Sequence, residues 1–501
     1  MIEARFLMRL FLIGALGLVA LAVLLIAPLS SAHAADPRAA GGMLAWPHDE
    51  MANALGIFVP NRMQKLNVPG LMVAVVSDGK IVYAGTFGKA EQGSKKPVTP
   101  STLFNAGEFG ETVAAYAAMG MVEDKLLFLD ASLSRDLDRP WLTDADANAH
   151  ITLRDVLTHR SGLGDNVAHP SHSRRFAADT HFMHSGVGFL YLQHVMTALS
   201  HEPFDALMQA RVFKPIGMDA SGYLETPQVQ TLLARGYVPL SFLLKIFYLP
   251  FVISFVIIVV AVWLISWFAL QRRLEPVDFL WPLVGASGFS VAIVWWGLGI
   301  TSAVFVVGSA FFCALSFGLL AVLIYYLFYI IGLARTRDGI ISRGRSKRES
   351  VIGLLAGAVA LVGFYPALGW SIPVPRLDVL RGPPQANVAM SFHTTASDMA
   401  HFMIEVMDGN QLAERIKSRM LGERVIVEKP FYWSLFSGVR VDGEHETFWT
   451  RGSAMGFESL MVMDPSRRAG VVVLTNSRAG GELAQDIVRN IFGMEAVWSL
   501  P

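Results

Sequence analysis

An exported α+β domain interrupted by a helical transmembrane insert is the fold class that this chain predicts. Three observations carry it. Apolar-alternating runs bounded by turn residues lie at 69–91 and 459–475, helical runs lie between them at 112–125, 189–200 and 396–407, and residues 246–372 are almost unbroken apolar sequence. A chain of 501 residues that is 53% hydrophobic, with a mean hydropathy of +0.44, is too apolar for an ordinary soluble enzyme. It is long enough for a full globular domain plus membrane segments.

Taken in order, the first element is a leader. Arg5 and Arg9 precede an apolar stretch over 10–29 and an Ala32-His33-Ala34 site, so residues 1–34 read as a secretory signal or an uncleaved N-terminal anchor. Residues 36–245 then form the first part of the exported domain. Within them, 69–91 reads as a strand, a turn at Asp78-Gly79 and a second strand.

The insert at 246–372 holds four spans, at about 246–270, 279–300, 303–334 and 351–372. Gly, Thr and Ser cluster at 299–302, where the two middle spans turn. Arg272 and Arg273 follow the first span, and six basic residues run from Arg335 to Arg348, which places both loops in the cytoplasm. An even number of spans returns the chain to the outer side, so residues 373–501 join the first part there. The expected location is the bacterial cytoplasmic membrane, multi-pass, with the globular domain on the periplasmic side. The spans carry almost no ionisable residues, so they read as an anchor or a partner-binding bundle rather than a transport path.

The lipid bilayer is thus one expected partner. Nucleic acid is not, because 41 basic residues balance 41 acidic ones and no basic stripe crosses the globular parts. The single cysteine, Cys313, excludes disulfides within the chain and a cysteine-rich metal site.

Chemistry concentrates in a few short stretches. Residues 103–115, LFNAGEFGETVAA, form an apolar approach that leads into a helix through Glu108 and Glu111; residues 151–163 read ITLRDVLTHRSGL; His184 to Phe189 opens a helix that is followed by FKPIGM; residues 390–402 read MSFHTTASDMAHF; and two terminal strands carry GF and MVMDPSRRAGVVVLTN. In this order they resemble the β-lactamase-related serine hydrolase family of penicillin-binding proteins, class C β-lactamases and esterases. The resemblance covers most of 50–237 and 378–495. It implies a β-lactamase/transpeptidase-like α/β sandwich: an antiparallel sheet flanked by helices, its first and last strands together, facing a mostly helical region across a cleft.

The same resemblance places the family's S-x-x-K serine and lysine on Glu108 and Glu111, the Tyr and Asn of Y-x-N on His184 and Gly186, and the K/H-T-G triplet on Thr450, Arg451 and Gly452. All three motifs are altered. An acyl-enzyme needs a hydroxyl with a base in reach, and two carboxylates do not supply one. The implied geometry puts His184 near Glu111, and Arg451 near Glu108 if its strand turns that way. Two readings follow. The cleft is charge-paired and catalytically silent, acting by binding an envelope peptide, muropeptide or membrane protein; or the glutamates and His184 serve as a new acid–base set for a hydrolase or acyltransferase. No cofactor or metal is called for, His159 reads as a scaffold residue, the histidines at 169, 172 and 181 read as loop, and Asp398, Thr394 or Thr395 caps the helix that follows.

Overall fold

In a computed structural model of the protein, residues 42–239, 371–373 and 385–498 are described, apart from 168, 169, 444, 495 and 496. The leader and the four expected spans lie outside the described residues, save for Ser371 and Ile372 at the end of the last span, which stand in a short strand, Ser371–Pro373. Among the described residues, no helix is long and apolar enough to cross a membrane.

The framework is one antiparallel sheet built from strands β1 (Gly70–Ser77), β2 (Lys80–Gly88), β5 (Arg424–Glu428), β6 (Phe431–Ser434), β7 (Gly438–Asp442), β8 (His445–Ala454), β9 (Phe457–Asp464) and β10 (Ala469–Thr475). Its order is β2-β1-β10-β9-β8-β7-β6-β5. The β1–β2 hairpin turns on Asp78 and Gly79, both at positive φ (50° and 71°), as a tight hairpin of this hand requires. A separate two-stranded pair joins β3 (Phe104–Asn105) to β4 (His393–Thr394).

Both faces of the sheet are covered, which is why β1 reads as a continuous apolar run rather than an alternating one. Leu71, Val73 and Val75 pack with α1 (His48–Leu66) and α6 (Gly480–Phe492), whereas Met72, Ala74 and Val76 belong to the larger core on the opposite face. That larger core contains α2 (Phe109–Glu123), α4 (Gly186–Ser200) and α5 (Ala396–Asp408). Helix α2 is buried almost all round, as its apolar composition demands.

Local capping explains where the helices near the cleft begin. Ser185 Oγ accepts the Gly188 N–H to start α4. Thr395 Oγ1 accepts the Asp398 N–H to start α5, so Thr395 is the cap. Asp398 instead accepts from Ser221 Oγ and the Ala220 N–H, tying α5 to a loop. Helix α3 (Leu153–Leu157) opens on a capping box in which Thr152 and Asp155 satisfy each other's backbone N–H groups. Thr152→Ala is expected to lower stability by about 1 kcal/mol, read as a shift in the denaturation midpoint; an unchanged midpoint would show that the box is redundant.

Candidate active site

The cleft lies where the start of α2 meets the free edge of β8. Strand β7 pairs with β8 only as far as Trp449, so the following residues of β8 present that edge to α2. The approach is close because two side chains are missing. A Cβ on Gly452 would stand 1.9 Å from the Ala106 carbonyl oxygen, and one on Gly107, itself at φ 55°, would stand 2.7 Å from the Ser453 nitrogen. On the other side, Tyr223 donates from its hydroxyl to the Gly110 carbonyl at 2.6 Å and holds the first turn of α2 down.

Glu108 occupies the N-cap of α2 but its side chain makes no cap. Its carboxylate crosses to β8 instead, where Oε2 accepts the Ser453 N–H. Burial pushes this carboxyl up to about 7; the neighbouring Glu111 adds to the rise, while His184, the Ser453 amide and the Glu108 amide oppose it.

Glu111, one turn on, is only 3% exposed. Its Oε2 lies 3.3 Å from His184 Nε2 and 4.0 Å from His159 Nε2, and its Oε1 is buried with no hydrogen-bond partner. His184 passes its other nitrogen to Asp165, Nδ1 to Oδ1 at 3.0 Å, and the same carboxylate oxygen accepts the Gly186 N–H at 2.8 Å. Burial alone would lower the His184 pKa, but Glu111 and Asp165 outweigh it and hold the imidazolium well above the ordinary range. The array Asp165–His184–Glu111 is therefore a three-membered ion pair with its cation in the middle.

His159 stands behind this array, buried, with its backbone in the left-handed region at φ 53° and its ring 4.4 Å from that of His184. The Ser185 N–H donates to its Nδ1 at 3.2 Å. A neutral ring that accepts at Nδ1 carries its proton on Nε2, which is the nitrogen facing Glu111. Burial and the His184 charge keep His159 neutral by lowering its pKa well below 6.5.

The remaining predicted positions divide. Thr450 points at α2, its hydroxyl 3.0 Å from that of Thr112, both buried. Gly186 leaves room for Asp165, whose Oδ1 lies 3.3 Å from where a Cβ would be. Arg451 does not reach Glu108. Alternate residues of a strand face opposite sides, and Thr450 and Gly452 take the α2 side, so Arg451 turns to the other face and pairs with the buried Glu458 at 3.1 Å.

Comparison with known proteins bears on this fold and cleft together. Residues 58–242 match the Beta-lactamase family. The chain is 29% identical over 189 residues to a β-lactamase of Pseudomonas fluorescens, covering 35% of this chain and 51% of that protein. It is 25% identical over 204 residues to esterase EstB of Burkholderia gladioli, covering 35% and 52%. It thus spans about half the length of the curated relatives it matches. Among solved structures, EstCE1, a hydrolase with promiscuous acyltransferase activity, superposes with a TM-score of 0.56 at 16% identity over 89% of this chain and 99% of that one. Over residues 58–242 this chain is similar to the Beta-lactamase family.

Within the β-lactamase-like cleft, Asp165 and the approach of the His159 ring to Glu111 escape a reading of motifs. Asp165 lies outside every signature and enters the site through His184 Nδ1 and the Gly186 N–H. The ligand atoms of Glu111, His159 and His184 lie within 4.8 Å of one another, the spacing of a metal cluster. The Ser185 amide argues against that use, because it keeps the His159 proton on the nitrogen that would have to ligate. Two ligands remain, fewer than the three or four of a divalent site. His181 is exposed beside Thr180, and His172 stacks on Trp141 with ring centroids 4.1 Å apart; His169 is outside the described residues.

Proposed function

We propose that this is a membrane-anchored β-lactamase-like protein of the bacterial envelope that has lost the serine acyl-enzyme route and acts by binding. The insert at 246–372 anchors it in the cytoplasmic membrane, with the β-lactamase-like domain on the periplasmic side. Its ligand is an envelope peptide or muropeptide, or its partner is another membrane protein met through the inserted helices. One observation carries the reading: the place that the resemblance gives to the nucleophile is filled by the Glu108 carboxylate, which is itself held by the Ser453 N–H. Nearby Ser453 Oγ offers no substitute, since it donates to Glu458, a carboxylate already paired with Arg451 and Arg478.

Purified protein treated with a fluorescent penicillin and with a fluorophosphonate is expected to take up neither label covalently. A label on any serine would overturn the binding reading.

A second reading has its own support. A carboxyl lifted to about 7, beside a second buried carboxyl that lies 3.3 Å from His184 Nε2, is an arrangement in which two acids can divide general acid and base roles. On that reading the domain is a hydrolase or acyltransferase using Glu108, Glu111 and His184. Glu108→Gln and Glu111→Gln would each abolish an activity found by screening envelope extracts; full activity in both variants removes this reading.

A further inference from the structure

Helix α1 has two faces of different character. The inner one sets Met51, Leu55, Val59 and Met63 against the sheet. The outer one is exposed at Asn53, Gly56, Ile57, Pro60, Asn61 and Gln64 and holds no charged residue over about three turns. An outward helix face ordinarily carries the charges. Ile57, at its centre, is 68% exposed. Pro60 has no N–H, so the Gly56 carbonyl beside it lacks its donor four residues on. The charges stand at the two ends instead, Asp49 and Glu50 in the first turn and Lys65 in the last. Among the described residues these three enter no ion pair.

This pattern complements itself when a second copy is laid antiparallel on the first. Each residue advances the helix by about 1.5 Å, so a twofold axis at Ile57 brings residues equidistant from it to one level. Ile57 then meets its own copy. Asn53 comes level with the second copy's Asn61, and two amides can exchange hydrogen bonds because each has donors and an acceptor. Asp49 comes level with the second copy's Lys65, so each acidic end lies over a basic one, and the helix dipoles run opposed. Laid parallel, the same face would set acid beside acid and lysine beside lysine.

We propose that the outer face of α1 is a docking surface for a second copy of this chain, packed antiparallel about Ile57. A lipid surface suits the face less well, because it would cover Ile57 but leave the Asn53 and Asn61 amides and the Gly56 carbonyl without partners. One pair of helices of 19 residues covers less than the roughly 1,600 Å² of a standard interface. The contact is therefore weak between free chains and needs them held close, which sharing one membrane supplies. Only that strength draws on the anchoring proposed above; the pairing is independent of whether the cleft binds or reacts.

The test is oxidative crosslinking of the full chain in the membranes of the cells that express it, in a Cys313→Ser background that removes the one native cysteine. A disulfide requires the two Cα atoms to come within about 7 Å. Ile57→Cys is expected to give about tenfold more crosslinked dimer than Ser171→Cys, an exposed collision control. Two differently tagged chains, one Asn53→Cys and the other Asn61→Cys, are expected to crosslink to each other and not to themselves. Ile57→Arg in both chains should abolish that product without moving the denaturation midpoint. Asp49→Lys and Lys65→Glu should each lower the Ile57→Cys yield by about threefold, and the two together should restore it. Asn53→Cys crosslinking to itself as readily as to Asn61→Cys, or Ile57→Cys no better than the collision control, overturns the proposal. Ile57→Cys that is shielded from a water-soluble maleimide yet forms no dimer overturns it too, and gives the face to the chain's own leader or to the bilayer.

Discussion

Gly452→Ala is expected to cost roughly 3 kcal/mol or more. The added methyl would stand 1.9 Å from the Ala106 carbonyl oxygen and 2.9 Å from its carbon. Neither neighbour is the end of a flexible side chain. The only relief is for β8 and the start of α2 to move apart, which also stretches the Ser453 N–H away from Glu108. The effect should therefore appear in both the denaturation midpoint and the Glu108 titration. Gly56 supplies the contrast: it sits exposed within α1 with nothing within 4 Å of its missing Cβ. Gly56→Ala is expected to raise stability by up to about 1 kcal/mol. If the two substitutions behave alike, the close approach does not hold this cleft together, and Gly452 would have to be explained by chemistry.

Glu111→Gln is the second large effect. It removes the main partner of a cation that burial would otherwise discharge, and a charged hydrogen bond of this kind contributes about 2 kcal/mol. The pH dependence follows from the direction of the shift. His184 has a folded pKa raised above its unfolded value, so its contribution is full below about 6.5 and is lost as pH climbs through the raised folded value. Wild type should lose stability as pH rises above about 6.5, and Glu111→Gln should flatten much of that slope because only Asp165 remains to hold the proton. Denaturation at pH 6 and pH 9, with the His184 ring followed by NMR, reads both. Parallel pH slopes in the two proteins, or an unmoved His184 titration, would show that Glu111 does not hold the imidazolium.

How much of this was legible beforehand differs from element to element. The β1–β2 hairpin was, because Asp78-Gly79 can take the positive φ angles that its turn requires. So was α2, since a helix apolar on all sides has to be buried. That Glu108, Glu111, His184 and Gly186 stand where the resemblance expects Ser, Lys, Tyr and Asn is a reading of the sequence alone. The geometry that joins them could not. Asp165 reaches His184 from a loop and holds the Gly186 N–H, and a contact of that kind leaves no motif. His159 carries a scaffold signature and does support a loop, yet its ring also faces Glu111 at 4.0 Å. For Arg451 a usable signal existed: once Gly452 is required to approach α2, the two-residue period of the strand sends Arg451 to the opposite face.

The pairing of β1 with β10 sets the order of events during synthesis. Leu71 faces Thr475 in this ladder, roughly 400 residues later in the chain, and translation at about 5–20 residues per second puts roughly 20 to 80 s between them. Throughout that interval the β1–β2 hairpin has been made while the strand that covers its inner edge does not yet exist. A hairpin alone is marginally stable, and an uncovered apolar edge is a template for pairing with another chain. Loop closure across so long a span is also intrinsically slow. The nascent domain thus depends on being kept apart from its neighbours until its last strand arrives, so holdase supply during synthesis, rather than the final stability of the sheet, is expected to limit its yield.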